Sequence, residues 1–329
     1  MKTLTFISLM TTSVACLGSC TNPAASDAQQ PWIVDRFDDI KVIRYEVPGF
    51  ERLPLEQKEL IYYLAEAAKC GRDILFDQNC AANLPIRRTL ETLYLNYKGD
   101  RTSDEWKALE KYLKKVWFAN GIHHHYSNDK FRPEFSESFF REAAASVGMD
   151  RFPADFDFLC KVIFDPAIYP TRLNQAAGAD MLWTSASNYY SNVRQHEAEQ
   201  FYAAMAAADA GDPCPVSYGL NSQLVKEEKT GRLYERTWKV GGMYSPAIER
   251  IVYWLEKAEP QKQTLAALID YYRTGDLKQF DRYNILWLQD TVSNVDFVNG
   301  FIETYGDPLG YKASWEANVN FVDSAACRR

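Results

Sequence analysis

The sequence predicts an α+β fold that is predominantly helical and has a small β-core. Amphipathic patterns with a helical period recur along most of the chain after Trp32, while only two short segments alternate clearly as strands do. Loops are short, and neither an internal repeat nor a low-complexity linker follows residue 31. The 329 residues, 47% of them hydrophobic, are enough to bury one large core or two smaller ones.

Apolar stripes and capping residues predict the helices of the first half. Gly71 is the expected C-cap of the first helix, Asn83 the N-cap of the second, and residues 102–105 form a capping box for the third. Residues 122–131 are expected to be extended. The predicted helices cover residues 55–69, 83–99, 104–117, 136–148 and 155–164.

The second half begins with an Ala-rich helix over residues 195–208. Alternating residues predict strands at 216–220 and 233–240. Four more helices are expected at residues 246–257, 261–273, 277–289 and 294–305.

The N-terminus has the pattern of a lipoprotein signal peptide. A positive start is followed by an apolar run too short to span a membrane, which ends Leu17-Gly18-Ser19-Cys20. Residues 1–19 are therefore expected to be cleaved, Cys20 to be lipidated, and residues 20–31 to form a flexible tether. The protein would be exported and lipid-anchored to the cell envelope, on the periplasmic or outer-membrane face. An ordinary signal peptide with an incidental cysteine is the alternative.

Composition and motifs exclude several function classes. The net charge is −7 and no basic stripe is present, which argues against nucleic acid as a partner. The sequence contains no HExxH or HExxGH, no GxSxG and no P-loop. His123 and His125 would share one face of a strand, where with a carboxylate they would suffice to bind zinc or copper. Alternatively, His123, His124 and His125 line a cleft or take part in hydrogen bonds.

Two long segments resemble the dipeptidyl peptidase III family. The first, FANGIHHHYSNDKF at residues 118–131, is similar to the substrate-cleft strand of its bacterial branch. The second comprises WLQD at 287–290 and VDFVNGFIETYGDPLG at 295–310. The resemblance extends from about Phe37 to Phe321. It implies that residues 32–329 correspond to the lower lobe of a two-lobed zinc exopeptidase, which removes dipeptides from peptide N-termini.

The resemblance also implies which residues bind the peptide. Asp296 matches the acidic residue that binds the free amino terminus, and His125, Tyr126 and Asn128 align with cleft-strand residues. Val298 stands where other branches have a tyrosine that stabilises the transition state, which puts that contact in doubt. Glu303, Tyr305 and Asp307 are expected to be structural, as capping and turn residues around Pro308.

The family's zinc site, an HExxGH helix with a distal Glu, has no counterpart in this sequence. No catalytic residue, no metal ligand and no bound zinc are therefore expected in this chain. The chain is expected to be a truncated or split N-terminal region, inactive alone. Its partners would be short peptides, a separately encoded C-terminal half, and a membrane reached only through the lipid anchor. The alternatives are a non-catalytic peptide-binding lipoprotein on the same lobe and an envelope-assembly lipoprotein.

The Leu17-Gly18-Ser19-Cys20 pattern, known as a lipobox, makes a direct prediction about the mature protein. Mass spectrometry should show that the mature chain starts at Cys20 and carries the added mass of acyl chains. These chains would anchor the protein because their methylene groups are buried in the membrane. Cys20→Ala should abolish this mass and release the protein from the membrane fraction. A mature N-terminus without lipid at residue 20 would contradict it.

Overall fold

The computed structural model describes residues 32–259, 264–323 and 326–328. The chain divides into two units, Met1–Glu46 and Val47–Arg329. The predicted signal peptide, Cys20 and the tether up to residue 31 lie outside the described residues. In the first unit, strands β1 (Ile33–Phe37) and β2 (Ile40–Ile43) pair antiparallel. Among the described residues, none of the helices combines the length and hydrophobicity needed to span a membrane.

The second unit is mostly helical, which confirms the predicted class. Its α-helices are α1 (Leu55–Cys70), α2 (Arg72–Asn79), α3 (Asn83–Asn96), α4 (Asp104–Ala119), α5 (Glu137–Val147), α6 (Phe156–Phe164), α7 (Gln195–Ala208), α8 (Ser245–Ala258), α9 (Thr264–Thr274) and α10 (Leu277–Gln289).

Two small sheets complete the second unit. Strand β3 (Tyr190–Ser191) runs parallel to β4 (Ser222–Lys226), which pairs antiparallel with β5 (Leu233–Thr237). Strands β6 (Val295–Glu303) and β7 (Ser314–Phe321) form an antiparallel pair in which Asp296 lies opposite Asn320. One hydrophobic cluster joins this pair to α1, α8 and α9, and a second lies among α3, α4, α5 and α6.

The prediction of a helix at 294–305 is wrong, because this segment is strand β6. Val295 and Phe297 are buried while Asp296 between them is exposed, which is the alternation of a strand with one face on the core. The strand predicted at 216–220 is also wrong. Those residues form a loop, and β4 follows it with Ser222 to Val225 all buried, so that no alternation marks the strand.

Caps were predicted with mixed success. Ser103 is the N-cap of α4, where its hydroxyl accepts a hydrogen bond from the backbone N–H of Trp106. Asn83 is not a cap: it is the first residue of α3, and α3 ends at Asn96 rather than beside Gly99. The buried Asn83 amide instead donates to the Phe76 carbonyl at 3.1 Å and accepts from the Ile122 N–H at 3.0 Å.

Helix α2 is tied to strand β7 through the fully buried side chain of Gln78. Its amide nitrogen donates to the Ala313 carbonyl at 3.0 Å, and its amide oxygen accepts from the Trp315 N–H at 2.9 Å. At the other end of α2, Gly71 follows α1 with φ −86°, which is not the left-handed conformation of a glycine C-cap. A Cβ at Gly71 would lie 2.2 Å from the Trp315 indole. Glycine is therefore needed for the close approach of Trp315.

Substituting Gly71 tests this packing. Gly71→Ala should lower the free energy of unfolding by about 1–3 kcal/mol, because the indole must move from a well-packed site. Gly211→Ala is the matched control, since a Cβ at Gly211 meets nothing within 4 Å, and it should be neutral or slightly stabilising. Urea titrations of both variants provide the measurement. Equal free energies of unfolding for the two variants would show that the packing of Trp315 on Gly71 does not contribute to stability.

Candidate functional site

The outer edge of strand β7 is open. In an antiparallel pair, alternate residues direct their backbone groups toward the partner strand or away from it. Because the Trp315 N–H donates to Gln78 rather than to β6, the backbone groups of Ala317 and Val319 also point away from β6. No strand within the described residues pairs with this edge. Such an edge presents free donors and acceptors to an extended chain.

A groove of about 670 Å³ runs beside this edge. Its opposite wall comes from the end of α1, the start of α2 and the end of α4. The aromatic rings of Trp117 and Phe118 belong to that wall, and the Arg72 guanidinium donates to the Trp117 carbonyl at 2.9 Å. The lining residues are Ala68, Lys69, Arg72, Leu75, Trp117, Phe118, Asn120, Trp315, Glu316, Ala317 and Asn318.

Residues 122–131 were expected to be extended, but they fold back on themselves. His123 and Lys130 form a β-bridge, the Phe131 N–H donates to the Ile122 carbonyl at 2.8 Å, and a turn over residues 125–127 separates the two arms. His123 and His125 therefore do not share the face of a strand. The tight return of the chain between Gly121 and Phe131 explains the failure, because residues in a turn do not alternate.

Two of the three adjacent histidines are used in local hydrogen bonds. His123 is 2% exposed, and its Nε2 donates to the Tyr169 carbonyl at 2.9 Å. Burial lowers the pKa of His123 to about 4, so the ring is neutral near pH 7. His124 Nδ1 accepts hydrogen bonds from the N–H groups of Tyr126 and Ser127.

The described residues do not fit a zinc ion. Zinc sites use three or four convergent His, Cys, Asp or Glu ligands. Over residues 32–259, 264–323 and 326–328, no three such side chains are placed to hold a metal. The two ring nitrogens of His123 and His124 described above already have backbone partners.

His125 and Tyr126 extend the aromatic wall of the groove. The His125 ring lies edge-on to Phe118 with 5.0 Å between centroids, and it contacts the Tyr126 ring at 4.4 Å. Tyr126 is 84% exposed. Since Phe118 lines the groove, His125 lies directly behind this part of the wall, and Tyr126 lies next to His125.

Asn128, the third residue predicted on this segment, forms hydrogen bonds within the protein rather than contacting the aromatic wall. Its backbone is left-handed, with φ 63°, and its side-chain oxygen accepts from Arg172 Nε at 2.9 Å. Arg172 also donates to Asn79, whose amide donates to the Asn120 carbonyl at the groove. Asn128 thus positions Arg172 and the wall behind the groove.

Asp296 lies on β6, away from the residues that line the groove. Its carboxylate accepts hydrogen bonds of 2.8 Å from Trp287 Nε1 and from the Phe297 N–H. Directly opposed residues of an antiparallel pair point to the same face, so Asp296 shares a face with Asn320, and Gly300 shares it with Glu316. The structure therefore places His125 against the groove-lining Phe118, with Tyr126 next to His125, and leaves Asp296 farther along the exposed face of the hairpin.

An acidic cluster at the groove was missed from the sequence. Glu316 lines the groove, and its carboxylate faces the Tyr305 hydroxyl at 3.5 Å. Burial, followed by repulsion from Glu303, raises the pKa of Glu316. Tyr305 is 70% exposed and lies in the turn that follows β6, as expected, whereas Glu303 is the exposed last residue of β6. Recognising β6 as a strand would have placed Glu303 at its exposed end.

Asp307 is a structural turn residue, as expected. Its carboxylate accepts from the N–H groups of Tyr311 and Lys312 at 2.8 and 2.9 Å, and from the Tyr190 hydroxyl at 2.8 Å. These bonds close the loop between β6 and β7 and hold it against β3.

Comparison with known proteins agrees with this architecture. Residues 179–329 match the sequence model of Peptidase family M49. Dipeptidyl peptidase 3 of Homo sapiens is 30% identical over 135 residues, which cover 39% of this chain and 18% of the relative. The Mus musculus enzyme is 32% identical over 112 residues, or 32% of this chain and 15% of the relative.

Solved structures show the same fold. Dipeptidyl peptidase III from Caldithrix abyssi superposes with a TM-score of 0.54 over 86% of this chain and 42% of that chain, at 16% identity. The enzyme from Corallococcus sp. strain EGB gives 0.56 over 87% and 42%, also at 16% identity. The sequence match over residues 179–329 and the shared fold relate this chain to the M49 peptidases, the dipeptidyl peptidase III family. The chain spans less than half the length of these relatives.

The buried His123 makes a prediction about pH. Because its pKa is about 4 in the folded state and near 6.5 when unfolded, acid protonates the unfolded state first. Stability should therefore fall as the pH drops from 6.5 toward 4, by about 3 kcal/mol from this residue alone. His123→Gln, which keeps a donor for Tyr169, should lose that part of the pH dependence.

Urea titrations at several pH values provide the measurement. The relevant quantity is the difference between the two proteins, because buried carboxyl groups such as Asp307, whose pKa is raised, contribute with the opposite sign in both. Parallel pH profiles for the two proteins would contradict the assignment of a neutral, buried His123.

Proposed function

We propose that this chain supplies the peptide-binding part of a dipeptidyl peptidase III-type exopeptidase, and that the peptide binds as an added strand along the outer edge of β7. The observation that carries the proposal is the coincidence of an open strand edge with a partly aromatic groove. The relation to this family supports the substrate class, because the curated relatives are dipeptidyl peptidases.

Strand addition fits the geometry of the groove. The free backbone groups of Ala317 and Val319 would pair with the main chain of the peptide, which gives affinity regardless of its sequence. Alternate peptide side chains would then point toward the wall formed by Trp117 and Phe118. His125 and Tyr126 extend that wall and would contact a longer peptide.

The acidic cluster supplies a place for the free amino terminus. Glu316 and Glu303 repel each other, and Glu316 is partly buried, so an ammonium group would relieve an existing cost. In the described chain, neither carboxylate takes part in an ion pair with a lysine or arginine. Asp296, the residue predicted from the family resemblance, remains a second candidate on the same hairpin, where Trp287 fixes its carboxylate.

Hydrolysis is proposed to need residues that are not in this sequence. The sequence has no HExxGH, and the described residues do not fit a zinc ion. We expect no dipeptide release by residues 1–329 alone, because the catalytic residues would have to come from outside them. We further propose that the chain acts at the cell envelope through lipidated Cys20, on the strength of the lipobox.

The predicted binding mode is testable with a fluorescent tetrapeptide followed by anisotropy. Glu316→Gln should weaken binding by at least about tenfold, as expected for loss of a charge-assisted hydrogen bond. N-terminal acetylation of the peptide should weaken binding to the parent protein equally and have no further effect on the variant. Asp296→Asn is the matched comparison, and the carboxylate whose loss makes binding insensitive to acetylation is the one that holds the amine.

A second variant tests the strand edge. Ala317→Pro removes an N–H that points away from β6, so pairing within the hairpin should survive. Binding should be lost while the thermal transition remains cooperative. Unchanged affinity in this variant, or no binding of any tetrapeptide to the parent protein, would overturn the proposal.

A further inference from the structure

A second cavity, of about 400 Å³, lies on the other side of α2. It shares no lining residue with the groove beside β7. Helix α2, the start of α3 and the first turns of α8 enclose it. Its lining residues are Cys70, Asp73, Ile74, Asp77, Leu84, Arg88, Met243, Tyr244, Pro246, Ala247 and Arg250.

Asp77 lines this cavity with a carboxylate of which only one oxygen accepts hydrogen bonds from the protein. The Tyr244 hydroxyl and the Asn188 amide both donate to its Oδ2, at 2.6 and 2.9 Å. Oδ1 therefore remains for a ligand. Burial raises the pKa of Asp77, although hydrogen bonds and the charge of Arg236 oppose this. A partly buried carboxylate of this kind gains from a cationic partner.

Tyr244 is strained at the same place. It has φ 65° at the N-cap of α8, a left-handed conformation that is unfavourable for a bulky side chain. The hydrogen bond to Asp77 and the contact with the Trp238 ring, 5.8 Å between centroids, hold it there. Strain of this type concentrates at ligand sites, where the surrounding structure fixes a side chain in advance.

The cavity also has a cation. Arg250 lies on the same wall of α8, close enough to Cys70 for its charge to act on the thiol. In the part of the chain that the structure describes, neither Arg250 nor Asp77 belongs to an ion pair, whereas Arg88 is 3.4 Å from Asp73. Apolar side chains, among them the buried Ile74, line the cavity around these charges.

We propose that this cavity binds a small zwitterion that has an α-ammonium and a carboxylate on either side of an apolar side chain, that is, an apolar amino acid or a dipeptide. The ammonium contacts Asp77 Oδ1 and the carboxylate contacts Arg250. The apolar side chain packs on Ile74 and Met243. Pockets of this size, mostly apolar with a few convergent polar groups, are typical of small-molecule sites. The site is separate from the peptide groove and does not depend on its function.

Isothermal titration with leucine and with leucyl-leucine tests the site in the whole chain. Binding of either ligand supports the proposal, and which one binds identifies the source of the zwitterion. N-acetylation or C-terminal amidation of that ligand should each weaken binding by about tenfold. Asp77→Asn, which can still accept from Tyr244, should weaken binding by a similar factor and make the protein indifferent to acetylation.

Arg250→Gln is the second variant, and because Arg250 is exposed, the fold should be kept. It should weaken binding of the free carboxylate ligand and leave the amidated ligand unaffected. Ala317→Pro should bind the zwitterion normally, which separates this site from the groove. The absence of heat with both ligands, or binding that ignores both substitutions, would overturn the proposal.

Discussion

The candidate site depends on the junction between α2 and β7. The Gln78 side chain bonds to the backbone at both Ala313 and Trp315, so it takes the place of a neighbouring strand at the start of β7. The Trp315 indole lies against Gly71 at the other end of the same helix. A buried amide that is satisfied on both sides fixes the register of what it contacts, because any shift leaves unpaired polar groups. Beyond Trp315 this substitute strand ends, and the edge of β7 is open.

The far end of the hairpin is fixed to the second sheet. Asp307 organises the loop between β6 and β7 and accepts from Tyr190 of β3. The fully buried Lys312 lies beside Ser222 of β4 at 3.0 Å and Glu235 of β5 at 3.6 Å. Burial lowers the pKa of Lys312 to about 8. Buried polar groups of this kind specify one arrangement more than they add stability, and here they hold the acidic end of the hairpin at the groove.

The helices were predictable because their apolar stripes are local in sequence. Of the ten α-helices in the described residues, nine contribute buried side chains to the two main hydrophobic clusters. Ser103 and Ser136 cap the starts of α4 and α5, as the sequence predicted. Strand β6 was mistaken for a helix because residues 294–305 carry few breakers, and only its pairing with β7, which the sequence analysis did not locate, decides its structure. The prediction for the loop at 122–131 was wrong for a similar reason. Its form depends on Asn83 and Tyr169, which are distant in sequence.

The same distinction between local and distant contacts explains which site residues could be predicted and which were missed. Residues in one motif, such as His125 and Tyr126, were placed together from sequence, and in the structure their rings contact each other while His125 also contacts the groove-lining Phe118. Glu316 was missed because its role comes from a strand that was not predicted and from Tyr305 and Glu303 across the hairpin. Gly71 was assigned a helix-ending role, whereas its contact with Trp315 joins positions far apart in the chain.

The central claim is that a peptide lies along the open edge of β7. Amide hydrogen exchange, measured at residue resolution with and without a saturating tetrapeptide, tests it most directly. The account predicts new protection at the N–H groups of Ala317 and Val319, with little change in β4 or β5. Unchanged exchange along β7, with protection at some other surface, would contradict it.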